Sequence, residues 1–318
     1  MRVLAIGWVG PLIGLILVFL LFAFKAKSSF ISAGNIETIF RQTAIVGCAA
    51  LGLTMIIIAG GIDLSVGSIV ALCTVVIALV LRAHQPAWIA ACVGILAGTA
   101  AGCFNGLLVT RLRVVPFIVT LGTLLLFRGA AKGLALEQTV SAPVTWLNSI
   151  LAALGPEQRW MVFPVGVWVV LILAGIVTLL LRGTRLGRYF FAVGSNEQAA
   201  LLSGIPVANI KLKVYLLGGA LAGVAGLMQF SRLTVGDPTV ASGLELDVIA
   251  AVVIGGGSLS GGQGSILGSL IGALLMTVIS NGCRQLDPPL PNWTREIITG
   301  AIIVLAVALD RLRERGRV

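Results

Sequence analysis

The chain has 318 residues, of which 58% are hydrophobic and 11% charged, with a mean hydropathy of +1.07 and a formal net charge of +10. A soluble domain carries roughly 25% charged residues, so this composition excludes a water-soluble fold. The basic excess lies in loops bordering apolar runs, without the interleaved aromatics of a strand-binding groove, which excludes a nucleic-acid partner.

A bilayer core about 30 Å thick takes roughly 20 apolar residues per helical crossing. Such runs predict about ten transmembrane helices, at 4–24, 42–59, 64–82, 87–109, 114–131, 161–181, 212–231, 246–257, 264–283 and 296–310, the eighth short and interrupted. The first follows Arg2 like a secretory leader, but its length and the lack of a small-x-small cleavage site predict a retained crossing. The whole chain, 1–318, reads as one polytopic all-α domain.

Orientation follows from the basic loops: Arg111 and Arg113; Arg182, Arg185, Arg188, Lys211 and Lys213; and the tail Arg311, Arg313, Arg315 and Arg317. All three are predicted cytoplasmic, which puts both termini inside the inner membrane and the 132–160 loop, with Trp146 and Trp160, outside it. Lys25 and Lys27 fall outside, against the rule.

The chain also repeats itself. Gly61-Ile62-Asp63-Leu64-Ser65-Val66 resembles Gly243-Leu244-Glu245-Leu246-Asp247-Val248, and each opens an apolar segment. Each is followed by glycines at spacing four, Gly94, Gly98, Gly102 and Gly106 in one copy and Gly264, Gly268 and Gly272 in the other. Spacing of four keeps small residues on one helix face, where a neighbouring backbone can approach closely in lipid. Five crossings separate the copies, which makes the repeat inverted. A competing alignment of Gly60 to Ser65 with Gly256 to Ser260 would make it parallel, and the order of the ladders favours the first.

Asp63, Glu245 and Asp247 lie at span ends, where a carboxylate caps the following helix, joins a gate or packing contact with Ser65 and Gly67, or touches cargo. Asn105, Gln229 and Asn281 are uncharged polar groups within spans, able to bond a neighbouring helix or line a solute path. The five cysteines form no C-x-x-C pair and His84 is the one histidine, so no metal site or disulfide frame is indicated. Leu259-Ser260-Gly261-Gly262-Gln263 spells the signature that ATPases use against ATP, but no phosphate loop of the G-x-x-x-x-G-K-[ST] type exists in the chain. A glycine-rich turn is the expectation there, with no cofactor on this chain.

The polar loop 182–213 carries a short helix. Ser195 and Gln198 fit a capping box, Asn196 to Ser203 the helix, Gly204 a left-handed stop, and Pro206 forbids continuation. So short a helix is unstable alone, and Ala199, Ala200, Leu201 and Leu202 offer an apolar surface for docking on a partner, on the bundle or on lipid.

Three blocks carry a family resemblance: Gly60-Gly61-Ile62-Asp63-Leu64-Ser65-Val66-Gly67-Ser68; Thr184-Arg185-Leu186-Gly187-Arg188-Tyr189 with Gly194-Ser195-Asn196-Glu197-Gln198-Ala199-Ala200 and Ser203-Gly204-Ile205; and Glu245 through Gly256. Together they resemble the ribose-type ABC permeases over about 40–310. The resemblance implies a type II-like, ten-helix importer subunit that is not an enzyme. Its partners would be a cytoplasmic ATPase, a second permease forming a homo- or heterodimer, and a periplasmic solute-binding protein. Asn196 to Ile205 would be the helix that seats on the ATPase. A monosaccharide is the cargo implied; an autoinducer, nucleoside or polyol is the alternative, and an ion-coupled secondary transporter, which ordinarily places titratable groups along the path, is the rival class.

Overall fold

The structure, a computed structural model, describes residues 8–286 and 288–315. The expectations on Arg2, on the start of the first span and on Arg317 lie outside those residues, as do those on the side chains of Lys27, Arg311, Arg313 and Arg315.

Twelve α-helices occupy most of the described chain: α1 (Val9–Phe30), α2 (Ala33–Ile58), α3 (Val66–Arg82), α4 (Ala87–Arg111), α5 (Pro116–Leu134), α6 (Val165–Gly183), α7 (Arg185–Ser195), α8 (Glu197–Leu202), α9 (Val207–Leu233), α10 (Leu244–Ile254), α11 (Ile266–Gln285) and α12 (Asn292–Arg315). Each predicted apolar segment coincides with one of them, but among the described residues seven helices (α1, α2, α4, α5, α6, α9 and α11) are long and apolar enough to cross a bilayer. At 1.5 Å per residue the 11 residues of α10 reach about 16 Å, half a hydrocarbon core.

Helix α2 begins nine residues before the predicted span. Ser32 caps it by accepting from the Asn35 N–H, and its polar first turns have partners. Leu154 N donates to Glu37 Oε1 and Arg41 Nε donates to Leu151 O, both in the 132–160 segment. Hydropathy alone missed this extension because its polar side chains dilute the buried Ile39 and the packed Ile36 and Phe40.

The core is built on α2 and α9. Of the spanning stretches α2 is 83% buried, whereas α1 is 17% buried and presents Leu17, Leu20, Leu21 and Phe24 outward, as a lipid-facing helix must. Helix α9 packs on α4 at backbone distance: a Cβ on Gly98 would stand 2.6 Å from the Gly219 carbonyl oxygen and 2.7 Å from the Gly223 Cα. Gly52 of α2 meets Gly218 of α9 in the same way. Helices α10 and α11 form a second close pair, Gly268 against Gly255 and Gly272 against Ala251.

Two ends of the bundle are distinct. At one, Gly262 N donates to Ile58 O at the end of α2, with Gly194 and Ser195 packed on the same turn. The expected turn at 259–263 is made possible by Gly261 and Gly262 at φ +87° and +70°, in the left-handed region. At the other end a two-residue antiparallel ladder pairs β1 (Val140–Ser141) with β2 (Val235–Gly236), and Leu151 N donates to Ser231 Oγ. No periodicity in the sequence announced that ladder, which is too short to have any.

Candidate functional site

Helix α2 ends beside Gly194, and residues 59–65 then double back so that α3 begins inside the bundle. Helix α9 ends at the opposite end, by β2, where Gly236 lies against Thr74 and Ala78 of α3. Residues 237–243 run back along α3 until α10 begins. The first turns of α3 and α10 therefore meet in the interior: a Cβ on Gly67 would collide with the Glu245 carboxylate and the Ala241 carbonyl.

Hydrogen bonds fix both returning segments. Asp63 is 3% exposed, and its Oδ1 accepts from Ser65 N at 2.8 Å and Ser65 Oγ at 2.6 Å. Asn105 of α4 donates to Ser65 Oγ at 2.8 Å, while Tyr215 and Thr120 hydroxyls donate to Ile62 O. Asp63 thus forms a turn with Ser65 and makes no side-chain cap on α3. On the other segment Arg128 of α5 donates to Pro238 O and Val240 O, within electrostatic range of Glu245 and Asp237. Glu245 Oε1 accepts from Gly243 N; its Oε2 is buried with no partner among the described residues.

Beside this junction lies a polar cavity of about 170 Å³. Helix α2 contributes Gln42, α9 contributes Gln229 and Arg232, and α10 contributes Asp247, while Thr277 and Arg284 come from α11. Its volume is below the roughly 300 Å³ at which drug-sized pockets begin, so it suits a small polar solute. Of the three amides singled out in the sequence, Gln229 lines the cavity, Asn281 is buried one turn from Arg284 with its Oδ1 unpartnered among the described residues, and Asn105 belongs to the Ser65 network instead. Sequence reasoning missed Gln42, Arg232 and Arg284. Arg232 and Arg284 lie one residue beyond the predicted spans, in the last turns of α9 and α11, where an arginine normally marks a membrane boundary.

The loop between α6 and α9 forms two helices, not one. Thr184 caps α7 by accepting from Gly187 N, and Gly187 stands against the Leu180 and Leu181 carbonyls. Phe190 and Val193 point inward, and Arg185 is exposed. Ser195 ends α7, so the cap of α8 is Asn196, whose Oδ1 accepts from Ala199 N at 2.9 Å. The capping box assigned to Ser195 and Gln198 is corrected accordingly: the asparagine one residue later has the extended backbone a cap needs. Gly204, at φ +80°, closes α8 with Ile205 N donating to Ala200 O and Gly204 N to Leu201 O. Ala200 is only 3% exposed and faces its own chain, whereas Leu201 and Leu202 are 63% and 89% exposed. The free apolar surface of α8 is therefore those two leucines.

Of the second ladder, Gly264 lies against Ile58, and Gly268 and Gly272 face α10. In the first, Gly94 meets Ile77, and Gly98 and Gly102 face Gly219, with Gly102 also against the Tyr215 carbonyl.

Residues 35–307 match the profile of a family described as branched-chain amino acid transport system / permease component. Among known proteins, the ribose import permease protein RbsC of Bacillus subtilis is 38% identical over 303 residues, 95% of this chain and 92% of that one. The fructose import permease protein FrcC of Rhizobium meliloti is 37% identical over 305 residues, 95% and 84% of the two chains. The L-arabinose ABC transporter permease protein AraH of Azospirillum brasilense is 35% identical over 307 residues, 96% and 88%. No solved structure matches the chain. A profile match over most of the sequence and relatives spanning nearly all of it agree on a multi-pass membrane protein that belongs to the permease-component family of ABC transporters.

Proposed function

We propose that this chain passes a monosaccharide across the bacterial inner membrane as the permease subunit of an ATP-driven importer. The observation that carries the cargo class is the set of ribose, fructose and arabinose permeases 35–38% identical over almost the whole chain. As a permease component it is not an enzyme, and ATP is hydrolysed on a separate subunit. The cavity between α2, α9, α10 and α11 is the solute path, lined by amides and hydroxyls that exchange weakly with sugar hydroxyls. The junction of Gly67 with Glu245 is the gate beside it.

In this reading the 182–213 loop and both termini are cytoplasmic, and the 132–160 loop is extracytoplasmic. Leu201 and Leu202, with Arg185 nearby on α7, seat on the ATPase, and Gly194 passes the motion to the end of α2. A second permease, identical or not, completes the pore, and a solute-binding protein delivers cargo at the β1–β2 end. Ten crossings in an inverted repeat fit the opposed paths of the two broken spans: α2 returns inward to α3 from one end, and α9 to α10 from the other.

Proteoliposomes holding the permease, its ATPase and its binding protein test the proposal. Labelled monosaccharides, neutral or acidic, are offered, and whichever accumulates should do so only with ATP present. Accumulation of the same sugars by the permease alone under a proton or sodium gradient would refute it.

A further inference from the structure

A neutral sugar leaves part of the cavity unexplained. Arg232 and Arg284 line it, and Asp247 is its one lining carboxylate among the described residues. Arg41 and Arg284 both stand close enough to Arg232 to repel its charge. Guanidinium groups stay charged in proteins, so two permanent cations line the cavity, with a third, Arg41, within electrostatic range of Arg232. Arg41 is held by the Leu151 carbonyl and, among the described residues, not by an acid, and Glu37, one turn earlier, is engaged by Leu154 N. Arg232 Nε is buried without a hydrogen-bond partner among the described residues, and so is Oδ1 of Asn281, a residue 4% exposed.

Like charges in a partly dry cavity raise one another's energy, and an unpartnered buried donor adds to that cost. An anionic group in the cavity relieves the repulsion between Arg232 and Arg284. A carboxylate matches the guanidinium fork with two parallel hydrogen bonds. Among the described residues, two lining arginines, with Arg41 in electrostatic range, against one lining carboxylate leave a positive excess, which suits an anion.

Resting on the permease reading, we infer that the cargo is a monosaccharide bearing one carboxylate, an aldonate or uronate. Its carboxylate lies between Arg232 and Arg284, and its hydroxyls meet Gln42, Gln229 and Ser242.

The purified permease in detergent, at matched ionic strength, is melted with sodium gluconate, sodium galacturonate, glucose, glucose 6-phosphate or sodium chloride. Gluconate or galacturonate should raise the melting temperature at concentrations where glucose and chloride do not. Arg284→Gln, at an exposed position, should fold normally and weaken that effect about tenfold, as loss of one charge-assisted hydrogen bond does. Arg159→Gln, in an exposed turn outside the cavity, should leave it intact. Equal shifts with chloride, an undiminished shift in Arg284→Gln, or a stronger response to the sugar phosphate would each overturn the assignment. So would an Arg284→Gln variant that loses only its grip on the binding protein. In the proteoliposomes, ATP-driven uptake of neutral sugars with none of gluconate or galacturonate sinks this inference and spares the permease reading. ATP-independent uptake sinks the permease reading itself.

Discussion

Replacing Gly98 by alanine tests whether α4 and α9 are held by backbone contact. The added Cβ would stand 2.6 Å from the Gly219 carbonyl oxygen, 2.7 Å from the Gly223 Cα and 2.8 Å from the Gly223 nitrogen. Ordinary contact begins near 3.4 Å, so the helices must part locally by about 0.8 Å, the difference between 3.4 and 2.6. Every obstructing atom is backbone, and no side chain can rotate away. Overpacking of this kind costs about 1–3 kcal/mol, here at the upper end, while alanine returns about 1 kcal/mol of helix propensity. The net loss is about 2 kcal/mol. Gly122 of α5 is the internal control, since nothing lies within 4 Å of its Cβ position; Gly122→Ala should stabilise by up to about 1 kcal/mol. Thermal melting of the purified variants in one detergent measures both. A Gly98→Ala protein melting as high as Gly122→Ala would show that the close approach carries no stability.

Leu202→Asp, at an 89% exposed position, should leave melting unchanged and reduce ATPase co-purification, whereas Ala200→Asp, at a 3% exposed one, should destabilise the permease itself by more than about 3 kcal/mol. Asp63→Ala strips the Ser65 N–H of its acceptor in a buried turn and should cost about 1–3 kcal/mol by melting; a thermally neutral variant would remove Asp63 from the structural account. Arg128→Leu takes the donor from the Pro238 and Val240 carbonyls, so limited proteolysis should cut within 237–243 faster than in wild type.

Features governed by hydrophobic length and local capping were readable in the sequence. Each apolar run became a helix, and Gly204 ended α8 where its backbone requirement put it. Features governed by partners distant in the chain were not. Gly98 and Gly102 announced a close approach but could not name Gly219 and Gly223 as the facing surface. The cap at Asn196 was displaced by one residue because Arg185–Ser195 forms a helix of its own, whose buried Phe190 and Val193 are sparse among polar neighbours. The cavity escaped notice because its cations come from two spans over 50 residues apart and look like boundary markers in each. Ala200 and Leu202 are indistinguishable by type, and only the fold decides which is covered.

The distribution of contacts decides where this bundle can deform. Gly98 with Gly219 and Gly223, and Gly268 with Gly255, bring α4–α9 and α10–α11 to backbone distance, so each pair moves as a unit. Sliding either pair internally would break many dispersion contacts at once, and a close-packed interface resists that. The cavity takes one wall, Gln229 and Arg232, from the first pair and the opposite wall, Asp247, Thr277 and Arg284, from the second. Polar bonds join these pairs to the helices around them: the Thr43 hydroxyl of α2 and the Thr277 hydroxyl of α11 at 2.6 Å, Thr74 of α3 with the Asp237 backbone, and Arg128 of α5 on two carbonyls. Each such bond is worth only about 0.5–1.5 kcal/mol net, and water in the cavity can replace it. Gly52 of α2 meets Gly218 of α9 at backbone distance, so α2 moves with the α4–α9 pair, and motion of α10–α11 against it must shear the α2–α11 contact, where the Thr43–Thr277 and Thr54–Ser269 hydroxyl pairs lie.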